Sequence, residues 1–255
     1  MKNPKVILSS IALTVAMLGG VTDEAAAQIT GDAIATSRGD VVIHPIDHAT
    51  FVLGWNGQAI YVDPVGGGDR FARLPSPDLI LVTDIHGDHM SAETLSAIVT
   101  PRTTIVAPAA VAEQLPASLR GQTVTLANGE TGIFGGVRVE GIPMYNLTED
   151  RLRFHDKGRG NGYVVSVGGT RLYIAGDTED IPEMRALQNI DVAFVPMNLP
   201  YTMTEEQAAS GVNAFSPTVV YPYHFQGSDV EKFKMLVEAG SGDTEVRLGD
   251  WYGLR

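Results

Sequence analysis

Residues 82–90 read VTDIHGDHM, which places two carboxylates and two imidazoles between Asp84 and His89. Each of these groups is costly to bury alone, yet they follow directly on the apolar run DLILV. Residues two apart in extended chain point the same way, so Asp84 and His86 could grip one ion together. Gly87 lets the chain turn, and Asp88 and His89 then face a neighbouring point. Imidazole with carboxylate suits zinc, iron or manganese. Three more polar residues end apolar runs: Asp63 after AIYV, Asp177 after RLYIAG, and His224 after TVVYPY. Strand ends are where a rigid scaffold presents functional groups. Two cations about 3.5–4 Å apart can share a water and bring its pKa towards neutrality, producing a hydroxide that attacks an ester, lactone, amide or phosphoester. Such a site needs no Ser or Cys nucleophile, and the chain has no Cys.

The elements that must position these groups are mostly short strands. VVIHP, TFVLGW and AIYVDP are β-rich pieces divided by the turn signal NGQ. DLILVT and TTIVAP are continuous apolar runs, as expected of strands covered on both faces. SAETLSAIV predicts a helix with Ser91 as N-cap, and AAVAEQL another short one. QTVTL, ETGIF and VRVEGIPM form a meander, followed by the charged loop NLTEDRLRFHDKGRGNG, long enough to be functional. Then come YVVSV, RLYIAG, a helix around IPEMRAL, and DVAFVP. Thr204 and Gln207 form a capping box ahead of the next helix, TVVYPYH is a strand, and DVEKFKMLVEAG is an amphipathic helix ended by Gly240. Strands in runs with helices inserted predict sheets packed together and helices outside.

The chain has 255 residues, enough for a sizeable core, and 30 acidic against 18 basic side chains. That balance repels nucleic acid and anionic membrane surface, and no Lys/Arg block offsets it. Residues 1–27 read as a secretory signal peptide: a basic start, the apolar core VILSSIALTVAMLGGV, and Ala25 and Ala27 before Gln28. The apolar run is short for a membrane span. The expectation is a periplasmic or secreted protein, off the membrane once the signal is cleaved. A polar linker is expected over 28–40 and one hydrolase domain over 41–255, with no internal repeat.

TDIHGDH, GDT and YPYH, in this order, resemble the metallo-β-lactamase-fold hydrolases. HATFVLGWNGQAIYVDP, YNLTEDRLRFHDKGRGNGY, IAGDTEDIPEM and PYTM narrow the resemblance to the branch of the ascorbate-phosphate lactonases. It implies an α/β fold, an αββα sandwich of two mixed β-sheets with helices on the outer faces and the site at one edge. It implies His86 on a first metal, Asp88, His89 and His224 on a second, Asp177 bridging, and Asp63 orienting the ligands from behind. Asp88 is also the expected catalytic carboxylate. Two divalent ions are implied, zinc first, with iron or manganese as alternatives. The sequence departs from the pattern twice. Asp84 stands where the first His belongs, which hardens that site and shifts preference from zinc towards iron, manganese or magnesium. After the meander the expected His is missing from PMYN. His155 completes the first site, or Asn146 does weaker duty, or the first ion is loosely held.

Further candidates for substrate contact are His48, Lys157, Arg159 and Tyr201. Lys157 and Arg159 could clamp a phosphate or carboxylate, which is why the expected substrate is a small, anionic ester, lactone or phosphoester. His44, Met203, Trp55 and Trp251 read as structural. The competing reading is an exported, non-catalytic metal or ligand binder. One tightly bound ion without hydrolysis would favour it, and two ions would favour the enzyme. Substrate and oligomeric state stay open.

Overall fold

A computed structural model describes residues 28–240 and 242–253. The expected signal peptide lies outside the described residues. The first sheet runs in spatial order β1 (Asp32–Ile34), β2 (Val41–Asp47), β3 (Thr50–Trp55), β4 (Gln58–Val62), β5 (Leu79–Leu81), β6 (Thr104–Ala107) and β7 (Thr123–Thr125). The second holds β8 (Thr131–Phe134), β9 (Val137–Met144), β10 (Gly160–Val167), β11 (Thr170–Ile174), β12 (Val192–Pro196), β13 (Val219–Tyr223) and β14 (Glu245–Val246), again in chain order. Each sheet begins as an antiparallel meander and finishes as parallel strands.

Alternation along the strands explains the continuous apolar runs. On β3 and β4, Phe51, Leu53, Ile60 and Val62 face the core between the sheets, with Leu172, Ile174, Val192 and Phe194 opposite. Their neighbours Val52, Ala59 and Tyr61 face outward, onto Leu95 of α1 (Ala92–Ile98), Val111 of α2 (Ala109–Gln114) and Leu119 of α3 (Ala117–Arg120). On the far side, Tyr173, Ala193, Val195 and Val220 meet α4 (Pro182–Arg185), α5 (Glu205–Phe215) and α6 (Val230–Gly240). The layers are therefore helix, sheet, sheet, helix. Phe51 stacks on Phe194 across the sheet interface at 4.5 Å. Each such side chain contributes about 1.5–3 kcal/mol by leaving water.

The predicted caps are present. The Ser91 side chain accepts from the Thr94 amide, and Thr204 with Gln207 closes a full capping box on α5. Met203 and Trp251 are fully buried and Trp55 nearly so. His44 Nδ1 meets the Thr30 carbonyl at the sheet margin. One reading changes and one is refined. The segment 28–40 is not only a linker, because Asp32–Ile34 adds an edge strand to β2. Its polar sequence hid it, since an edge strand with an exposed face needs little apolar patterning. Gly87 does not have positive φ, and a Cβ there would meet nothing within 4 Å. The turn is a helical one instead, with the His89 and Met90 amides donating to the His86 carbonyl at 3.0 and 2.8 Å.

Candidate metal centre

The site lies beyond the carboxyl ends of the parallel strands of both sheets, where open α/β sheets bind their ligands. Asp63 follows β4, Thr83 to His89 follow β5, Asp177 follows β11, Asn198 follows β12, and His224 follows β13. His48 comes from the β2–β3 turn and His155 from the charged loop. His48, Asp63 and His224 all have positive φ, at 52°, 45° and 48°. Non-glycine residues occupy this region only where the surroundings impose it, and such positions gather at functional sites.

Asp177 is the centre of the arrangement. Its Oδ2 lies 3.3 Å from both His89 Nε2 and His155 Nε2, and its Oδ1 lies 3.3 Å from His224 Nε2. On one side, Asp84 Oδ2 lies 2.9 Å from His86 Nδ1 and 3.8 Å from His155 Nε2. On the other, Asp88 lies 3.4 Å from His224, 3.5 Å from His48 and 3.9 Å from His89. Three groups of donors thus converge: Asp84, His86 and His155; His89, Asp177 and His224; and His48, Asp88 and His224. Donors about 3–4 Å apart are spaced as they are around a single ion held at about 2.0–2.2 Å. Among the described residues, the buried atoms His89 Nε2, His155 Nε2 and Asp177 Oδ1 have no hydrogen-bond partner. Unsatisfied buried polar atoms are costly, and divalent ions between them would satisfy all three.

The electrostatics agree. Burial alone would raise the Asp177 carboxyl, but His224 and His89 outweigh it and hold it well below the usual carboxylate range. Burial disfavours a charged His89, yet Asp177 and Asp63 more than reverse that and favour a cation at the ring. Asp63 is fully buried and accepts from His89 Nδ1 at 2.8 Å, the Thr83 amide at 2.8 Å and the Thr83 hydroxyl at 2.6 Å. This fixes His89 with Nε2 turned to the site, as carboxylates behind metal-binding imidazoles do.

His48 is held differently. The Phe225 amide donates to the Tyr252 hydroxyl at 3.0 Å, and the same hydroxyl lies 2.8 Å from His48 Nδ1. Burial pushes the Tyr252 phenol up to about 12, so it remains a donor. With Nδ1 engaged by Tyr252, the His48 Nε2 is the ring atom turned towards Asp88.

His155 is buried beside Asp177, whereas Asn146 is occupied elsewhere. The Asn146 side chain donates to the Arg151 and Tyr201 carbonyls, and its backbone amide donates to the His155 carbonyl at 3.0 Å. Its place is to support the loop that delivers His155. The anion clamp is corrected. Arg159 forks onto both Asp84 oxygens at 3.1 and 2.8 Å, and Lys157 reaches Glu183 at 2.7 Å and Tyr145 at 3.2 Å. Each cation has found a carboxylate of the chain itself, the better partner for a guanidinium or ammonium at short range. Neither lines the cavity of about 340 Å³ at the site.

Tyr201 does line that cavity, as do His48, His86 and Asp88. Sequence reasoning missed Phe154, Asn198 and Gln226 in its wall, and Tyr252 behind His48. Phe154 was visible as the neighbour of His155. Nothing in the order of the chain marked the other three.

Residues 42–224 match the family model described as a β-lactamase superfamily domain. The chain is 31% identical over 206 residues to a UPF0173 metal-dependent hydrolase of Thermococcus kodakarensis, spanning 75% of this chain and 90% of that one. Among solved structures it is similar to a protein assigned provisionally as a metal-dependent hydrolase from Parabacteroides distasonis, at 36% identity and TM-score 0.80, covering 88% of this chain and 99% of the other. The fold is shared with the metallo-β-lactamase-fold protein YhfI from Bacillus subtilis, at TM-score 0.63 and 11% identity, over 81% and 91% of the two chains. The chain belongs to the β-lactamase superfamily, as a metal-dependent hydrolase of the metallo-β-lactamase fold.

Proposed function

We propose that this hydrolase cleaves a small ester, lactone or phosphoester with two divalent ions, zinc or alternatively iron or manganese. Asp84, His86 and His155 would hold the first, Asp88, His89 and His224 the second, and Asp177 both. The observation that carries this reading is the position of Asp177, with one oxygen 3.3 Å from an imidazole of each group. Divalent ions held by these residues would supply Lewis-acid chemistry, activating water and polarising the group under attack. The chain's own residues do the rest. His48 would pass a proton from Nε2 to the departing oxygen, its ring held at Nδ1 by the Tyr252 hydroxyl. Asn198 and Gln226 offer amide donors on the cavity wall. With Lys157 and Arg159 engaged by Glu183 and Asp84, an anionic substrate would be attracted by the ions themselves. Residues 1–27 support export to the periplasm or beyond.

The test is turnover by metal-loaded protein of a panel of lactones, carboxylic esters and phosphodiesters. Cleavage of at least one class is expected, abolished by chelation and reduced about 10²–10⁴-fold by His48→Gln, the range for loss of a general acid. No turnover of any class at full metal occupancy would defeat the reading.

A further inference from the structure

The cavity wall contrasts with the charge of its floor. Among the described residues no Lys or Arg lines it. Its outer side is formed instead by Phe154 and Tyr201, whose rings meet edge to face at 5.0 Å. Tyr201 is close to half exposed, and it is not alone. Among the described residues the exposed large apolar side chains are Val124, Ile133, Leu147, Leu152, Leu199, Tyr201 and Met235. Four of those seven, Leu147, Leu152, Leu199 and Tyr201, stand on the two loops that carry Phe154 and Tyr201 over the site.

These loops are locked to one another. Asn146 Nδ2 donates to the Tyr201 carbonyl at 2.7 Å, and Arg151 donates to the Thr202 carbonyl at 2.9 Å. Buried Glu179 holds the assembly from below, accepting from the Leu147 and Thr148 amides at 2.6 and 2.7 Å and from Arg151 at 2.7 Å. Leucines on a segment this firmly anchored cannot fold away from water. Apolar exposure gathered on two loops points to recognition, and here the same two loops supply both aromatic rings of the cavity wall.

We propose that the substrate is an ester or lactone bearing an apolar acyl or aryl group of several carbons, which lies against Phe154 and Tyr201 while the hydrolysable bond reaches Asp177 and His48. The inference rests on the hydrolase reading and narrows it. Aromatic rings and leucine side chains recognise such a group by removing it from water, and the amides of Asn198 and Gln226 are suited to its polar head.

Calorimetric binding of straight-chain carboxylates, from acetate to decanoate, to the metal-loaded protein tests this without requiring turnover. These are the products that acyl esters would leave. Affinity is expected to rise up to about fourfold per added methylene over the middle of the series. Tyr201→Ala and Leu199→Ser should each flatten that slope, and Leu199→Ser removes only an exposed side chain. Equal affinity at every length, or no binding at any length, overturns the proposal. A steep slope left intact by both substitutions overturns it too, and assigns the leucines to a macromolecular partner. A normal slope without turnover of any class on the substrate panel, at full metal occupancy, would instead refute the hydrolase reading.

Discussion

Asp84→His on its own is expected to weaken binding of one metal ion about 10- to 100-fold, and Asp84→His combined with Arg159→Met to restore most of the loss. Asp84 is fully buried, and the Arg159 guanidinium grips both of its oxygens. The pair is neutral as a unit, as the imidazole usual at this position would be. Arg159 also sets the carboxylate plane, leaving Oδ2 directed between His86 and His155. Supplying His alone leaves the guanidinium beside the ion without its carboxylate. Removing both charges together leaves a neutral His in a neutral pocket. The converse single change, Arg159→Met, strands a buried carboxylate at a cost of about 3–5 kcal/mol to the metal-free protein, and metal binding should offset part of it. Calorimetric titration of the single and double variants gives the coupling. Full affinity in Asp84→His with Arg159 intact would show that the two residues act independently.

The second large effect is at Asp63. Asp63→Ala is expected to lower stability by about 4 kcal/mol, because it leaves the Thr83 amide, the Thr83 hydroxyl and His89 Nδ1 without an acceptor in a dry interior. Asp63→Asn keeps the shape and one accepting oxygen, so it should cost less stability. It still removes the charge that orients His89, and weaker binding of the second ion should persist. Denaturant unfolding with metal titration of both variants separates the two contributions. Wild-type metal affinity in Asp63→Asn would remove the Asp63 charge from any part in placing His89.

Much of this site was legible in the sequence because buried strands end abruptly in groups that cannot be buried alone. Asp63, Asp177 and His224 are each preceded by apolar runs, and the structure brings all three together. His155 was one of the alternatives the sequence left open for the missing ligand, being the one His between the metal loop and Asp177, and the fold puts it 3.3 Å from Asp177. The partners of Lys157 and Arg159 were not legible. A flexible cation looks free in sequence, and only the fold shows Asp84 and Glu183 within reach. Tyr252 was equally silent, since its role depends on the chain's end crossing back to the β2–β3 turn. The first strand was hidden because Asp32–Ile34 pairs on one edge only. The matched order of the two sheets was hidden as well, for strand topology repeats here without repetition of side chains.

The central claim is that Asp177 joins two ions. Native mass spectrometry of the protein titrated with zinc, iron or manganese tests it most directly. Two ions per chain are expected at saturation, falling to one in His155→Ala, with the folded charge-state distribution retained. A wild-type protein that saturates with a single ion, or that binds none, would contradict the account.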